Sequence, residues 1–308
     1  MIKLDNVTKN FGAFTAVNSV SLDIGKGEVF GFIGPNGAGK TTTIKMLATL
    51  SLPTEGALSI GGFDIVKEPR EVRRIIGYMP DSFGVYEDLL VWEYLDYFAA
   101  LYHVDPPRRK RIIGDVLELT DLTIKYYSQV MSLSRGMKQR LCLAKTLLHD
   151  PEVLLLDEPA SGLDPHARIE IRELIRELCR MGKTILVSSH ILTELADFCG
   201  SIGIIERGVM LAAGRIDEIT AGLGGNQVIE ITVKGDPLAA VAVLEERTDI
   251  ARATSDGRVV RVEFTGNPDD VDLILEYLVN RGVKLTAFTP ASANLEDIFL
   301  KITRGAVA

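Results

Sequence analysis

The chain has 308 residues, 46% of them apolar and 25% charged, with 34 basic against 42 acidic side chains and a net charge of −8. That composition supports a buried core in one large domain plus a smaller one. It excludes a nucleic-acid partner of the electrostatic kind, since the longest basic run is Arg108-Arg109-Lys110-Arg111. Mean hydropathy is +0.17, yet no stretch approaches the ~18 uncharged apolar residues of a membrane span. Met1-Ile2-Lys3-Leu4-Asp5 lacks the apolar run of a secretory signal, so the expectation is a cytosolic chain. Cys142, Cys179 and Cys199 have no metal-ligand spacing and read as reduced core thiols.

In chain order, the first thirty residues alternate apolar and polar (Ile2, Leu4, Val7, then Val17, Val20, Leu22, Ile24) around turn-forming Asn10-Phe11-Gly12 and Gly25-Lys26-Gly27, which predicts antiparallel strands. The apolar run Val29 to Ile33 then meets Gly34-Pro35-Asn36-Gly37-Ala38-Gly39-Lys40-Thr41-Thr42, followed by a helix-like segment from Thr42 to Leu50. Gly34 to Thr41 fit the pattern G-x-x-x-x-G-K-[ST] in its strand, loop, helix context. Glycines let consecutive amides converge on one phosphate at a helix N-terminus. In such a loop Lys40 reaches the β- and γ-phosphates of a nucleoside triphosphate, and the Thr41 hydroxyl binds Mg²⁺.

Ala57 to Ile60 before Gly61-Gly62 predicts a hairpin arm, and Ile75 to Met79 a short strand ended by Pro80. Helical spacing of Trp92, Leu95, Phe98, Ala99 and Tyr102, continued by Ile112, Val116, Leu117 and Leu119, marks residues 87–149 as a helical insert. Val153 to Leu156, an apolar run bounded by charges, predicts a strand buried on both faces of a parallel sheet. Asp164-Pro165 opens a helix that runs to Met181 and stops at Gly182. Thr184 to Val187 is the next buried strand, and Ile202 to Ile205 with Val209 to Ala212 form a hairpin. The Gly-rich stretch Thr220 to Asn226 reads as a linker, with 221–226 dividing a domain of residues 1–220 from one of residues 227–308. Beyond it, strand, helix, strand, strand, helix, strand predicts a small α+β sandwich of ferredoxin-like order, with a closing helix over Leu295 to Thr303.

Over residues 1–220 the chain resembles the ATP-binding subunit of an ATP-binding cassette (ABC) transporter, because several motifs occur in that family's order. Leu154-Leu155-Leu156-Asp157-Glu158-Pro159 resembles Walker B, which implies Asp157 toward Mg²⁺ and Glu158 as the residue that polarises the attacking water. Leu133-Ser134-Arg135-Gly136-Met137 resembles the signature, usually Leu-Ser-Gly-Gly-Gln, whose Ser134 hydroxyl and Gly136 amide would contact ATP held by another subunit. Ser161-Gly162-Leu163-Asp164 resembles the D-loop of the dimer interface, His190 the switch histidine, and Phe11 the aromatic that stacks on adenine. Asp81 stands where the family usually has Gln; a carboxylate there can still bind Mg²⁺. Arg135 and Met137 replace Gly and Gln, and Arg135 adds charge near the nucleotide.

The resemblance implies an α/β P-loop fold with a mostly parallel core sheet, an antiparallel β subdomain and the helical insert. Its cofactors would be ATP and Mg²⁺. Its partners would be a second copy in a head-to-tail ATP sandwich and integral membrane permease subunits, with the chain peripheral on the cytoplasmic face. The C-terminal extension ending Asn294-Leu295-Glu296-Asp297-Ile298-Phe299-Leu300 resembles the tail of bacterial exporter ATPases for drugs, lipids or polysaccharides. The alternatives are a soluble ABC ATPase of the translation or DNA-repair type, and a protein that binds ATP without turnover. The first usually carries tandem cassettes, a coiled-coil insert, zinc ligands or basic patches, none of which occurs here; the second disagrees with Glu158 and His190 both in place.

Overall fold

A computed structural model describes residues 1–82, 84–191, 195, 198–216, 218–219, 227–267 and 270–291. The chain divides into two compact units, Met1–Ile216 and Asp217–Ala308. The proposed linker at 221–226 and the closing helix at 295–303 lie outside the described residues.

The first unit begins with β1 (Ile2–Phe11) and β2 (Phe14–Ile24), which with β4 (Glu55–Ile60) and β5 (Phe63–Asp64) form a four-stranded antiparallel sheet, order β2-β1-β4-β5. The alternation read from the sequence places Ile2, Leu4 and Val7 inward, opposite Ile24, Leu22 and Val20. The second sheet holds β3 (Val29–Ile33), β6 (Ile76–Met79), β7 (Val153–Leu156), β8 (Thr184–Ser189), β9 (Ser201–Glu206) and β10 (Val209–Arg215), in the order β10-β9-β3-β8-β7-β6. Every pair in it is parallel except β9 with β10. Strands β3, β7 and β8 are buried at every position, as continuous apolar runs require. Phe30, Phe32 and Leu155 share one core with Ile2, Val20 and Leu58 of the antiparallel sheet and Ile44 and Leu47 of α1 (Lys40–Leu47).

The helical insert resolves into α3 (Val91–Leu101), α4 (Pro106–Leu119) and α5 (Arg135–Leu147). Helix α6 (Pro165–Arg180) starts where expected, because the Asp164 carboxylate accepts the His166 and Ala167 amides and Pro165 fills the first turn. The helix that follows β5 has no counterpart in the sequence reading. Helix α2 (Pro69–Ile75) buries Val72 alone, and one apolar residue makes no period to read.

The second unit has β11 (Gln227–Val233), α7 (Pro237–Glu245), β12 (Ile250–Asp256), β13 (Val259–Phe264), α8 (Val271–Asn280) and β14 (Leu285–Ala291). Its antiparallel sheet has the order β12-β13-β11-β14, the ferredoxin-like arrangement that the element order predicts. Ile229, Ile231, Val260, Val262 and Phe264 point to the helices, where Leu244 and Ile274 close a separate core.

Helix α5 approaches β6 closely at Gly77, where a Cβ would lie 2.6 Å from Thr146 Cγ2 and 2.9 Å from the Thr146 carbonyl oxygen. Overpacking of this kind costs about 1–3 kcal/mol. Gly77→Ala should therefore lower stability by that amount in urea titrations followed by circular dichroism. An unchanged midpoint would mean that α5 does not press on the sheet there.

Candidate active site at the ends of the parallel strands

Because β3, β6, β7 and β8 run parallel, their C-terminal ends fall on one edge of the sheet, where α/β proteins place ligands. Each end delivers one part of the site. After β3 comes the loop 34–39, in which Gly37 and Gly39 take φ of +80° and +111°. At Gly39 a Cβ would lie 2.6 Å from the Ala16 carbonyl oxygen, and at Gly34 it would collide with that of Ile205, so no larger residue fits either place. Lys40 opens α1 with its side chain 5% exposed and folds back, its Nζ donating to the Gly34 carbonyl (2.5 Å) and the Pro35 carbonyl (3.3 Å).

Strand β7 delivers Asp157 and Glu158. Asp157 is 1% exposed; burial pushes its carboxyl above the usual carboxylate range, the Ser188 and Thr41 hydroxyls hold it down in part, and the Asp81 and Glu158 charges raise it further. The Ser188 hydroxyl donates to Asp157 Oδ1 (2.7 Å) and accepts the Glu158 amide (3.0 Å). Glu158 itself adopts φ of +51°, a strained conformation for a residue with a Cβ, which persists where the surroundings over-determine it. One of its oxygens lies 3.3 Å from Lys40 Nζ and the other 2.7 Å from His190 Nδ1, the residue that β8 delivers. Lysine and histidine from two strand ends thus meet the glutamate of a third, one at each carboxylate oxygen.

These groups line a cleft of about 350 Å³ that contains Asn36, Gly37, Ala38, Gly39, Lys40, Thr41, Thr42, Asp81, Glu158 and His190. Asp81, predicted from Met79-Pro80 to leave the end of β6 beside the loop, is on its wall. It also acts on its neighbours. Tyr78 is pushed up to about 12, by burial first and then by the Asp157 and Asp81 carboxylates.

Phe14 lines the cleft with Ala16, and Phe11, the aromatic expected at adenine, adjoins it across the hairpin. The two phenylalanines are cross-strand partners at the β1–β2 turn, and Phe11 lies under the Lys9 ammonium, 4.8 Å from the ring centroid. Composition cannot separate two phenylalanines three residues apart; the side of the hairpin that faces Gly39 does. The sequence reading also passed over Ser188, which ties Asp157 to Glu158, although a serine pair ending an apolar strand was a visible signal.

Ser134, Gly136 and Asp164 are elsewhere. Ser134 caps α5, its Oγ accepting the Met137 amide (3.3 Å), and all three line a notch of about 280 Å³ that shares no lining residue with the cleft.

The cleft meets the needs of a triphosphate with a divalent cation. Backbone amides and an ammonium suit phosphate oxygens. The buried Asp157 Oδ2 has no hydrogen-bond partner among the described residues, and with the Thr41 hydroxyl and Asp81 it makes an all-oxygen donor set of the kind that Mg²⁺ takes.

Comparison with known proteins agrees. A family model described as ABC transporter matches residues 17–161. The chain is 32% identical over 305 residues to a linearmycin resistance ATP-binding protein of Bacillus subtilis, covering 98% of both chains. It belongs to the family of ABC transporter ATP-binding subunits. It is also 36% identical over 310 residues to a Nod factor export ATP-binding protein of Paraburkholderia xenovorans, covering 98% of this chain and 96% of the relative. Among solved structures, an ATP-binding subunit of an ABC transporter matches with a TM-score of 0.66 at 32% identity, over 73% of this chain and 93% of its own. A dimeric ATP-binding cassette in a post-hydrolysis state bound to ADP and Pi matches with a TM-score of 0.64 at 26% identity, over 70% of this chain and 99% of its own. The protein is an ABC ATPase: it binds ATP, and hydrolysis coupled to transport is the activity of its family. Cassettes of this family dimerise and work with transmembrane subunits.

Two expected outcomes test the site. Phe14→Ala should weaken ATP binding by about 1–3 kcal/mol, the worth of one base–aromatic stack, while Phe11→Ala changes it little; calorimetry with both variants decides which ring carries the base. Asp157 titrates above its unfolded value, so its contribution to stability is present at low pH and lost as pH rises through its folded pKa. In metal-free buffer Asp157→Asn should then raise the thermal midpoint at neutral pH, with a gain that shrinks on acidification. A gain that grows toward acid pH would mean that the carboxylate is stabilised as the anion.

Proposed function

We propose that this ABC ATPase powers an exporter, with two copies closing head to tail on two ATP molecules against separate integral membrane subunits. The observation that carries the two-chain site is the division of the family's motifs within one chain. Lys40, Glu158 and His190 meet in the cleft, while Ser134 and Gly136 line a notch with no residue in common with it. A second copy turned head to tail brings one chain's notch to the other's cleft. Export is favoured by likeness over nearly the whole length to proteins named for linearmycin resistance and Nod factor export. No observation favours the translation or DNA-repair alternative. Among the described residues no helix is long and apolar enough to cross a membrane, in keeping with a peripheral subunit on the cytoplasmic face.

In this reading the amides of residues 36–41 and the Lys40 ammonium hold the β- and γ-phosphates. Thr41, Asp157 and Asp81 would hold Mg²⁺, which supplies neutralising charge on the phosphate oxygens. Glu158 takes the proton of the attacking water. His190 orients the Glu158 carboxylate from one side while Lys40 neutralises it from the other, so a γ-phosphate entering the cleft competes with Glu158 for Lys40. Asp164, in addition to capping α6, stands in the notch as part of the dimer surface.

Glu158→Gln keeps shape and hydrogen-bonding capacity but loses basicity. It should bind ATP as wild type does, hydrolyse about 100-fold or more slowly, and move from monomer to dimer on a sizing column when ATP is added. Adding Ser134→Arg should abolish that move, and Lys40→Ala should bind ATP poorly. A Glu158→Gln chain that turns over ATP at the wild-type rate would remove Glu158 from its role.

A further inference from the structure

Arg135 stands where the signature usually has its first glycine, and its surroundings assign it a task. It is the first residue of α5, where a cation opposes the helix dipole, and the first turn of that helix has no acidic residue to offset it. The guanidinium turns instead to the D-loop. Its Nη2 donates to the Ser161 carbonyl (3.3 Å), and the group lies against Gly162, where an added Cβ would fall among the guanidinium atoms. Gly162 also has φ of +66°, a backbone conformation that favours glycine whatever Arg135 does.

Four residues further along the same face of α5, the buried Gln139 donates its side-chain amide to the Pro159 carbonyl. Two donors from one helix face therefore hold alternate carbonyls, 159 and 161, of the turn that begins at Glu158. That turn is closed by the Ser161 amide donating to the Glu158 carbonyl (3.0 Å). Glu158 sits at its start with positive φ, a conformation that the neighbouring backbone has to maintain.

We propose that Arg135 is a positioning residue in its own chain: it clamps the Ser161–Gly162 turn to α5 and so sets the direction of the Glu158 carboxylate. It is not a ligand of the nucleotide phosphates. The link to turnover rests on the role of Glu158 given above; the clamp does not. In a two-chain site, α5 would also touch the partner's nucleotide, so occupancy of one site reaches the catalytic carboxylate of the other through this clamp.

The test uses the full chain with Arg135→Gly, Arg135→Lys and Gly162→Ala. Arg135→Gly should lower kcat about three- to tenfold, the worth of one exposed hydrogen bond, with KM for ATP within about twofold of wild type. In the Glu158→Gln background it should leave the ATP concentration for half-maximal dimerisation unchanged. Arg135→Lys should fail to restore kcat, since an ammonium lacks the planar fork that spans Ser161 and Gly162. Gly162→Ala should lower the thermal midpoint more with Arg135 present than in the Arg135→Gly chain, because only the former has the collision to relieve. A tenfold rise in the ATP needed for dimerisation that Arg135→Lys reverses, or equal effects of Gly162→Ala in both backgrounds, overturns the clamp. If Glu158→Gln itself stays monomeric with ATP, the two-chain reading fails, while the thermal comparison still decides the clamp.

Discussion

The site depends on the parallel pairing of four strands. Main-chain bonds put β3 beside β8, β8 beside β7 and β7 beside β6, so Ile33, Ser189, Leu156 and Met79 end near one another and the chain leaves the sheet four times on the same edge. Apart from Phe14 and Ala16 of the β1–β2 hairpin, the groups named above in the cleft follow one of those exits. The phosphate loop follows β3, Asp157 and Glu158 follow β7, His190 follows β8, and Asp81 follows β6. Burial of β3, β7 and β8 at every position makes this edge rigid, since moving one strand would open the core around Phe30, Leu155 and Leu186. A slip of one residue in any of these pairs would turn its functional side chain away.

Within that frame the charges are arranged in two layers. Asp157 is buried, raised toward its neutral form, and tied through Ser188 to the backbone of its neighbour. Glu158 is one step nearer the cleft, between an ammonium and an imidazole. Removing a carboxylate from water is costly unless a cation or hydrogen bonds offset it. An all-oxygen group with an unpartnered buried oxygen suits a divalent ion, and the ammonium and the imidazole fix the direction of the glutamate beside it.

The second unit is built on other terms. Its core of Ile229, Ile231, Val260, Val262, Phe264, Leu244 and Ile274 is separate from that of the first unit, and alternation along β11 and β13 sends Glu230 and Arg261 to the opposite face, where they pair at 2.9 Å. Similarity to the resistance and export ATPases extends through this unit as well as the first.

The amino-acid sequence by itself determined the phosphate loop, the Asp157-Glu158 pair, the order of the main strands in both units and the helices other than α2 that lie between them. Those features rest on local requirements: glycines for an anion-binding turn, apolar runs for buried strands, Asp-Pro for a helix start. Helix α2 was not legible, since a helix that buries one residue has no period. Only the tertiary structure decided which phenylalanine faces the cleft, because Phe11 and Phe14 are equivalent in type and differ only in their arm of one hairpin. It also decided what Arg135 touches. In the sequence that residue is a charge near a nucleotide motif; in the fold, its guanidinium reaches the D-loop 26 residues away, because α5 packs beside the turn that follows β7. Contacts between segments far apart in sequence follow from sheet order and helix packing, which no local pattern encodes.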